Sequence, residues 1–152
     1  MPPPFTLHRL GPADIPLLRA LNALFGEAFA DAETYNAEPP DDAYLQALLA
    51  KEHVITLAAL EGDTPLGGLV AYELDKLERA RKEVYIYDLA VAEPHRGRGV
   101  ATALITHLRT LAAERGAWVL FIQADYGDDP AIALYEKLGV REEVLHFDIG
   151  VR

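Results

Sequence analysis

The chain has 152 residues, with 24 acidic and 14 basic side chains, a formal net charge of −10 and no cysteine. That length suits one domain with a real core over residues 1–152, and the absence of cysteine excludes a disulfide framework, a thiolate zinc site and a cysteine nucleophile together. The acidity disfavours nucleic acid and anionic membrane surfaces as partners and favours a cationic one.

No apolar run approaches the roughly 20 residues of a membrane span. Met1-Pro-Pro-Pro has neither the basic nor the apolar region of a signal peptide, so a cytoplasmic location is expected.

Phe5 to Leu10 alternates as a strand does, and Gly11-Pro12 ends it. From Asp14 to Phe29, Leu17, Leu18, Leu21, Leu24, Phe25, Ala28 and Phe29 recur at three- and four-residue spacing, which predicts an amphipathic helix. Asp31 to Asp42 reads as an acidic loop holding Tyr35. A second helix follows with Asp41 or Asp42 as its N-cap and Tyr44, Leu45, Leu48 and Leu49 as its buried face. Val54–Leu60 and Leu66–Leu74 form a hairpin about a turn at Glu61–Pro65.

Asp75–Glu83 is a charged connector into a strand at Val84–Val91. A loop then leads to a helix whose stripe is Ala101, Leu104, Ile105, Leu108, Leu111 and Ala112, stopped at Gly116. Ala117–Gln123 reads as a fully buried strand. A short helix runs from Pro130 to Leu138, with Asp129 as N-cap and Gly139 at C′. Val144–Ile149 is expected to be the last strand. The order is that of a single α/β unit without repeats or linkers.

The loop before the long helix carries His95, Arg96, Gly97, Arg98 and Gly99. A strand delivering a glycine-rich turn into a helix N-terminus builds an anion site, because unpaired N–H groups and the positive dipole end converge there. Arg96 and Arg98 add forked donors suited to phosphate oxygens. A nucleotide P-loop would need Lys after Gly99, and a dinucleotide fingerprint would need glycine where Thr102 stands. Neither pattern fits.

From Arg96 the loop spells R-x-x-G-x-A, closed by Ala101, after a strand that ends in Val91 and is followed by Pro94. This resembles the acetyl-CoA pyrophosphate loop of the GCN5-related N-acetyltransferase superfamily, and the order of elements around it matches. More narrowly, LFGEAF-x-D, YIYDLAV, QADYGDDPA, ALY-x-KLG and REEV-x-HFDI read like the class I aminoglycoside 3-N-acetyltransferases, along nearly the whole chain. The resemblance implies an α/β fold with a mixed central sheet of about seven strands and four helices. It also implies direct transfer of acetyl from acetyl-CoA to an amine of a deoxystreptamine aminoglycoside, with no metal. A homodimer stays open, since relatives commonly pair.

Such chemistry needs a base for the protonated amine, a donor for the developing oxyanion and a hydrogen bond or proton for the departing thiolate. Asp88, a carboxylate inside an apolar strand, is the candidate base; a buried structural ion pair is the other reading. By analogy with the family, Leu89, Ala90 and Val91 line the pantetheine arm with backbone groups. Arg96, Gly97, Arg98, Gly99, Val100, Ala101 and Thr102 hold the pyrophosphate.

Tyr135, in ALYEKLGV, is the candidate partner of the sulfur, although its helical face is also that of a core residue. Where many relatives place Asn at the start of this motif, Asp129 stands here and looks like a helix cap. Tyr35, Glu38, Asp125, Asp128 and Asp129 are candidates for binding a polycation, and all the carboxylates also read as solvated surface. His146 and Asp148 alternate on the last strand and suit support or packing better than metal binding. Two other readings remain: the same chemistry on a polyamine or protein amine, and a non-catalytic CoA-binding module.

Overall fold

The computed structural model describes residues 5–152. Five strands, β1 (Thr6–Arg9), β2 (Val54–Glu61), β3 (Thr64–Asp75), β4 (Lys82–Val91) and β5 (Ala117–Ile122), form one sheet in sequence order. The first four are antiparallel; short connections join β2 to β3 and β3 to β4, whereas residues 10–53 lie between β1 and β2. β5 lies parallel to β4 because a helix crosses between them. The helices are α1 (Ile15–Ala28), α2 (Ala32–Asn36), α3 (Asp42–Leu49), α4 (Val100–Glu114) and α5 (Asp129–Leu138).

Period-two alternation in the strands divides the core between two faces. Ile55, Leu57, Leu69, Ala71, Val84 and Ile86 meet Leu104, Ile105 and Leu108 of α4 on one. On the other, Ala58 packs with Leu18, Leu45 and Leu49, and Val70 and Ala90 with Leu21 and Phe25. Each such Leu or Phe contributes about 1.5–3 kcal/mol by leaving water. Near the start of β4 and β5, Arg115 donates to buried Glu73 through Nε at 2.6 Å and a terminal nitrogen at 3.0 Å. This fork ties β3 to the end of α4.

The α/β class and the mixed sheet are as expected, but the described residues hold five strands rather than about seven and five α-helices rather than four. α2 sits inside the expected acidic loop, its first turn held by the Asp31 carboxylate accepting from Thr34 N–H at 3.3 Å. Five residues are too few to show a periodic stripe. Asp41 caps α3 at 2.8 Å through Tyr44 N–H, while the Tyr44 side chain stays exposed rather than buried.

β5 is only half-buried rather than fully so, because β4 is its single neighbour and α5, over it, has no buried residue. The N-cap of α5 is Asp128 rather than Asp129, and Gly139 is extended, at φ −151°. Val144–Ile149 is not a strand: residues 140–152 are exposed and lack the neighbour that would satisfy their backbone groups.

Candidate active site

Strand parity alone would point Asp88 into the α4 core, since Val84 and Ile86 already face it. The register with β3 slips at that point: Ala71 pairs with Ile86, but Val70 pairs with Asp88, leaving Tyr87 as an extra residue. This bulge turns Asp88 to the α1 face beside Val70, and sends Leu89 and Val91 back to the α4 core. The same extra residue brings rings together on the open face. Tyr87 lies edge-on to Tyr72 at 5.9 Å and tilted to Tyr85 at 5.5 Å, and Tyr85 stacks on Phe121 at 4.6 Å.

Tyr35 closes this group from above. α2 approaches α1 closely enough that a Cβ on Gly26 would meet the Tyr35 Cβ at 3.3 Å. The Tyr35 ring packs on Phe25 and Phe29, and its hydroxyl donates to Asp88 Oδ1 at 2.8 Å. Burial holds the Asp88 carboxyl above its ordinary range, opposed by the Tyr35 hydrogen bond. Tyr35 itself is pushed up, by burial and then by the carboxylate it serves. Tyr72 and Tyr85 are also raised, by burial first and with Asp88 as a contributor. Asp88 is therefore a half-buried carboxylate with one phenol donor and, among the described residues, no cationic partner.

β4 and β5 separate at the same place. Their pairing ends at Ile86 with Ile122, so from Tyr87 to Val91 β4 is bonded to β3 alone. Its other edge carries backbone N–H and C=O groups without a strand partner, and Asp88 stands among them. β4 then runs through a single 3-10 turn, Glu93–His95, to Gly97 and Gly99. Both glycines adopt left-handed backbone, at φ +78° and +79°, with open space where a side chain would stand.

The first N–H of this region to bond back is that of Ala103, to Gly99 O at 3.0 Å, so Val100, Ala101 and Thr102 present free N–H groups that no side chain caps. Arg96 donates to Val91 O at 3.1 Å. Arg98 is braced by His95 Nδ1 at 2.7 Å and Glu61 at 3.3 Å.

Tyr135 lies on the opposite side of the sheet from Asp88, packed against the α4 cluster and lining a groove with Ile86 and Ile122. Burial pushes its phenol up to about 12. Glu38 and Asp125 in their loops, Asp128 at the N-cap of α5 and Asp129 in its first turn are all exposed. None of the four meets Asp88, so of the predicted acceptor-side residues only Tyr35 is drawn to it. Tyr72, Tyr85 and Tyr87 escape sequence reasoning. The visible signal for two of them was the spacing Tyr85-Ile86-Tyr87-Asp88, which ordinary alternation assigns to opposite faces. His146 and Asp148 hydrogen-bond at 2.9 Å in open solvent, supporting nothing. Among the described residues no group of three metal ligands forms.

The family model described as acetyltransferase (GNAT) matches residues 18–140. The chain is similar in structure to an aminoglycoside acetyltransferase from an uncultured soil metagenomic sample, at 57% identity and TM-score 0.95, covering 97% of this chain and 99% of that one. A second soil metagenomic aminoglycoside acetyltransferase, solved in complex with sisomicin, is 31% identical with TM-score 0.89, covering 97% of each chain. Streptothricin acetyltransferase of Streptomyces lavendulae is 32% identical over 84 residues, covering 55% of this chain and 43% of that protein. The chain thus spans less than half the length of that curated relative.

Proposed function

We propose that this chain, which belongs to the acetyltransferase (GNAT) family, is an acetyl-CoA-dependent N-acetyltransferase acting on an amine of a deoxystreptamine aminoglycoside, working as a homodimer. The observation that carries the reading is the placement of Asp88: a half-buried carboxylate without a cationic partner, roofed by tyrosines, at the point where β4 parts from β5. An acidic chain with an exposed carboxylate rim suits a polycationic acceptor. Two aminoglycoside acetyltransferases of matching fold and length support the substrate class.

The residues fit acetyl-CoA, which when bound supplies the acyl group as a thioester. The unpaired edge of Tyr87–Val91 offers amide partners to an extended arm. The open backbone at Gly97 and Gly99, with the free N–H groups of Val100–Thr102, suits a pyrophosphate. Arg96 keeps donors free beyond its bond to Val91 O, while the Arg98 pair with exposed Glu61 is weak enough to yield to phosphate.

Asp88 takes the proton of the acceptor ammonium, directly or through a water, and the hydrogen bond from Tyr35 favours its ionised form against the burial that opposes it. A backbone N–H of Leu89–Val91 donates to the carbonyl oxygen as negative charge develops there. Tyr135, across the sheet and protonated up to about pH 12, donates a hydrogen bond to the sulfur as the C–S bond breaks, and the departing thiolate takes the second proton that the nitrogen sheds as the amide forms. The rings of Tyr72 and Tyr87 flank the acceptor side, and Glu38, Asp125, Asp128 and Asp129 form the outer acidic rim.

The test is thiol release from acetyl-CoA with gentamicin, sisomicin, spermidine and an N-terminal peptide as acceptors, the product site being located by NMR. Acetylation at the 3-amine of gentamicin is the expected outcome. Turnover on spermidine or the peptide alone moves the acceptor to a polyamine or protein amine, and CoA binding without turnover on any amine makes the chain a binding module.

A further inference from the structure

Arg98 stands between Gly97 and Gly99, both in left-handed backbone with open space where a side chain would be. An arginine on such a loop has no packed neighbour on either side, and ordering it at the moment of binding costs rotamer entropy. Instead its guanidinium is held from two directions. One terminal nitrogen meets His95 Nδ1 at 2.7 Å, and the other donates to Glu61 Oε2 at 3.3 Å. A guanidinium can only donate, so Nδ1 is the acceptor and the His95 ring carries its proton on Nε2. The sheet brings Glu61 to the loop. Glu61 ends β2 at the turn into β3, and the start of β3 lies close against the end of β4: Ala92 N–H donates to Leu66 O at 2.8 Å, and a Cβ on Gly67 would meet Ala90 O at 2.7 Å.

We propose that His95 and Glu61 act on Arg98 in opposite senses, His95 as a positioning residue that holds the arm ready for phosphate, Glu61 as a built-in counter-ion that phosphate displaces. This rests on the acetyl-CoA reading above and deepens it. The signs follow from charge. A neutral imidazole occupies one N–H and leaves the positive charge and the other donors to an anion, so it lowers the cost of ordering without competing. A carboxylate competes for the charge itself and repels a phosphate brought beside it. The Arg98 and Glu61 side chains are 31% and 54% exposed, so their pair is weak and screened by salt, and a pyrophosphate with more charge takes its place. Binding thus frees Glu61 at the β2–β3 turn, and release of CoA returns Arg98 to it.

The test is calorimetric titration with CoA of wild type, His95→Ala, His95→Asn, Glu61→Gln, Arg98→Ala, and Arg98→Ala combined with each of His95→Ala and Glu61→Gln. His95→Ala should weaken CoA about three- to tenfold, the value of one hydrogen bond. His95→Asn, whose Oδ1 can stand where Nδ1 stood, should recover most of the loss. Glu61→Gln should tighten CoA by up to about fivefold at low salt, with the gain fading as salt is added. In the Arg98→Ala background both second changes should lose their effect. Nitrogen NMR of the His95 ring in the chain before CoA is added should show Nδ1 unprotonated.

A tightening by His95→Ala, a weakening or no change by Glu61→Gln, effects that persist without Arg98, or a protonated Nδ1 overturns the proposal while leaving CoA in this loop. Wild type that does not bind CoA, or Arg98→Ala and Arg96→Glu that both bind it as wild type does, overturns the proposal together with the cofactor assignment it rests on. No readout uses acetylation, so the acceptor assignment fails or stands separately.

Discussion

Replacing Asp88 with Asn separates a base from a structural carboxylate. Asn keeps the shape and an oxygen that can accept from Tyr35, now 2.8 Å from the carboxylate, but loses the charge and the basicity. A general base contributes about 10²–10⁴-fold, equivalent to roughly 2.7–5.4 kcal/mol of barrier, so kcat should fall by that factor in steady-state thiol-release assays. Stability should move much less. Exchanging a charged hydrogen bond for a neutral one loses about 1 kcal/mol.

Against that stands the desolvation of the carboxylate, which the variant no longer carries. Because burial holds the folded-state value above the ordinary 3.8, the folded form binds more protons, and stability falls as pH rises through that window. At neutral pH wild type bears this cost in full, so Asp88→Asn should melt within roughly 2–4 °C of wild type, a shift worth about 1 kcal/mol for this length. The acidic limb of the kcat/KM profile should flatten with the loss of the titrating group. A strongly lowered melting temperature with nearly intact turnover would refute the assignment, and make Asp88 a packing residue.

Arg96→Glu should raise KM for acetyl-CoA far more than KM for the acceptor, with the difference growing at low salt; equal acetyl-CoA affinity in calorimetry would remove the cofactor from this loop. Tyr35→Phe removes the hydrogen bond that holds the Asp88 carboxyl down, so the acidic limb of its pH–rate profile should shift to higher pH. Tyr135→Phe should lower kcat by about 10–100-fold, the value of one hydrogen bond to a developing charge. The basic limb should stay in place, because the Tyr135 phenol stays protonated to about 12.

Glu73→Gln should destabilise by about 1–3 kcal/mol at neutral pH by removing the charge its arginine partner binds. Arg115 depresses the carboxyl below its ordinary 4.5, so the stabilisation is present above that value and lost as pH falls through the folded one. Thermal scans of the two proteins should converge in acid.

The elements that carry their own local pattern were legible in the sequence. α1 and α4 fall within about a residue of their apolar stripes, and the turn at Gly97 and Gly99 lies where glycine and charge spacing put it. What escaped depends on a partner elsewhere in the chain. The direction of Asp88 is set by a register slip against Val70 and Ala71, which no reading of β4 alone contains. Tyr72 joins the site only by cross-strand pairing with Tyr85. The alternation of Val144–Ile149 predicts a strand that the structure does not form, because alternation states only that a segment has two faces. It does not supply the neighbouring strand that would satisfy the backbone, and residues 140–152 run exposed without one.

The bulge at Tyr87 links the separate features of the site. Without the extra residue Asp88 would project toward Leu104 and Leu108, where an unpaired carboxylate costs several kcal/mol. With it the carboxylate reaches the tyrosine face, just beyond Ile86–Ile122, the last pair of β4 with β5. From there the β4 backbone is free on one edge for an acyl arm, with the base on the α1 side and Tyr135 on the α4 side. A substitution that restored regular pairing at Tyr87 would turn Asp88 into the core and reverse which groups of Leu89–Val91 face that free edge. Proton removal and acyl binding should therefore be lost together along this strand, while changes at Arg96 weaken acyl binding alone.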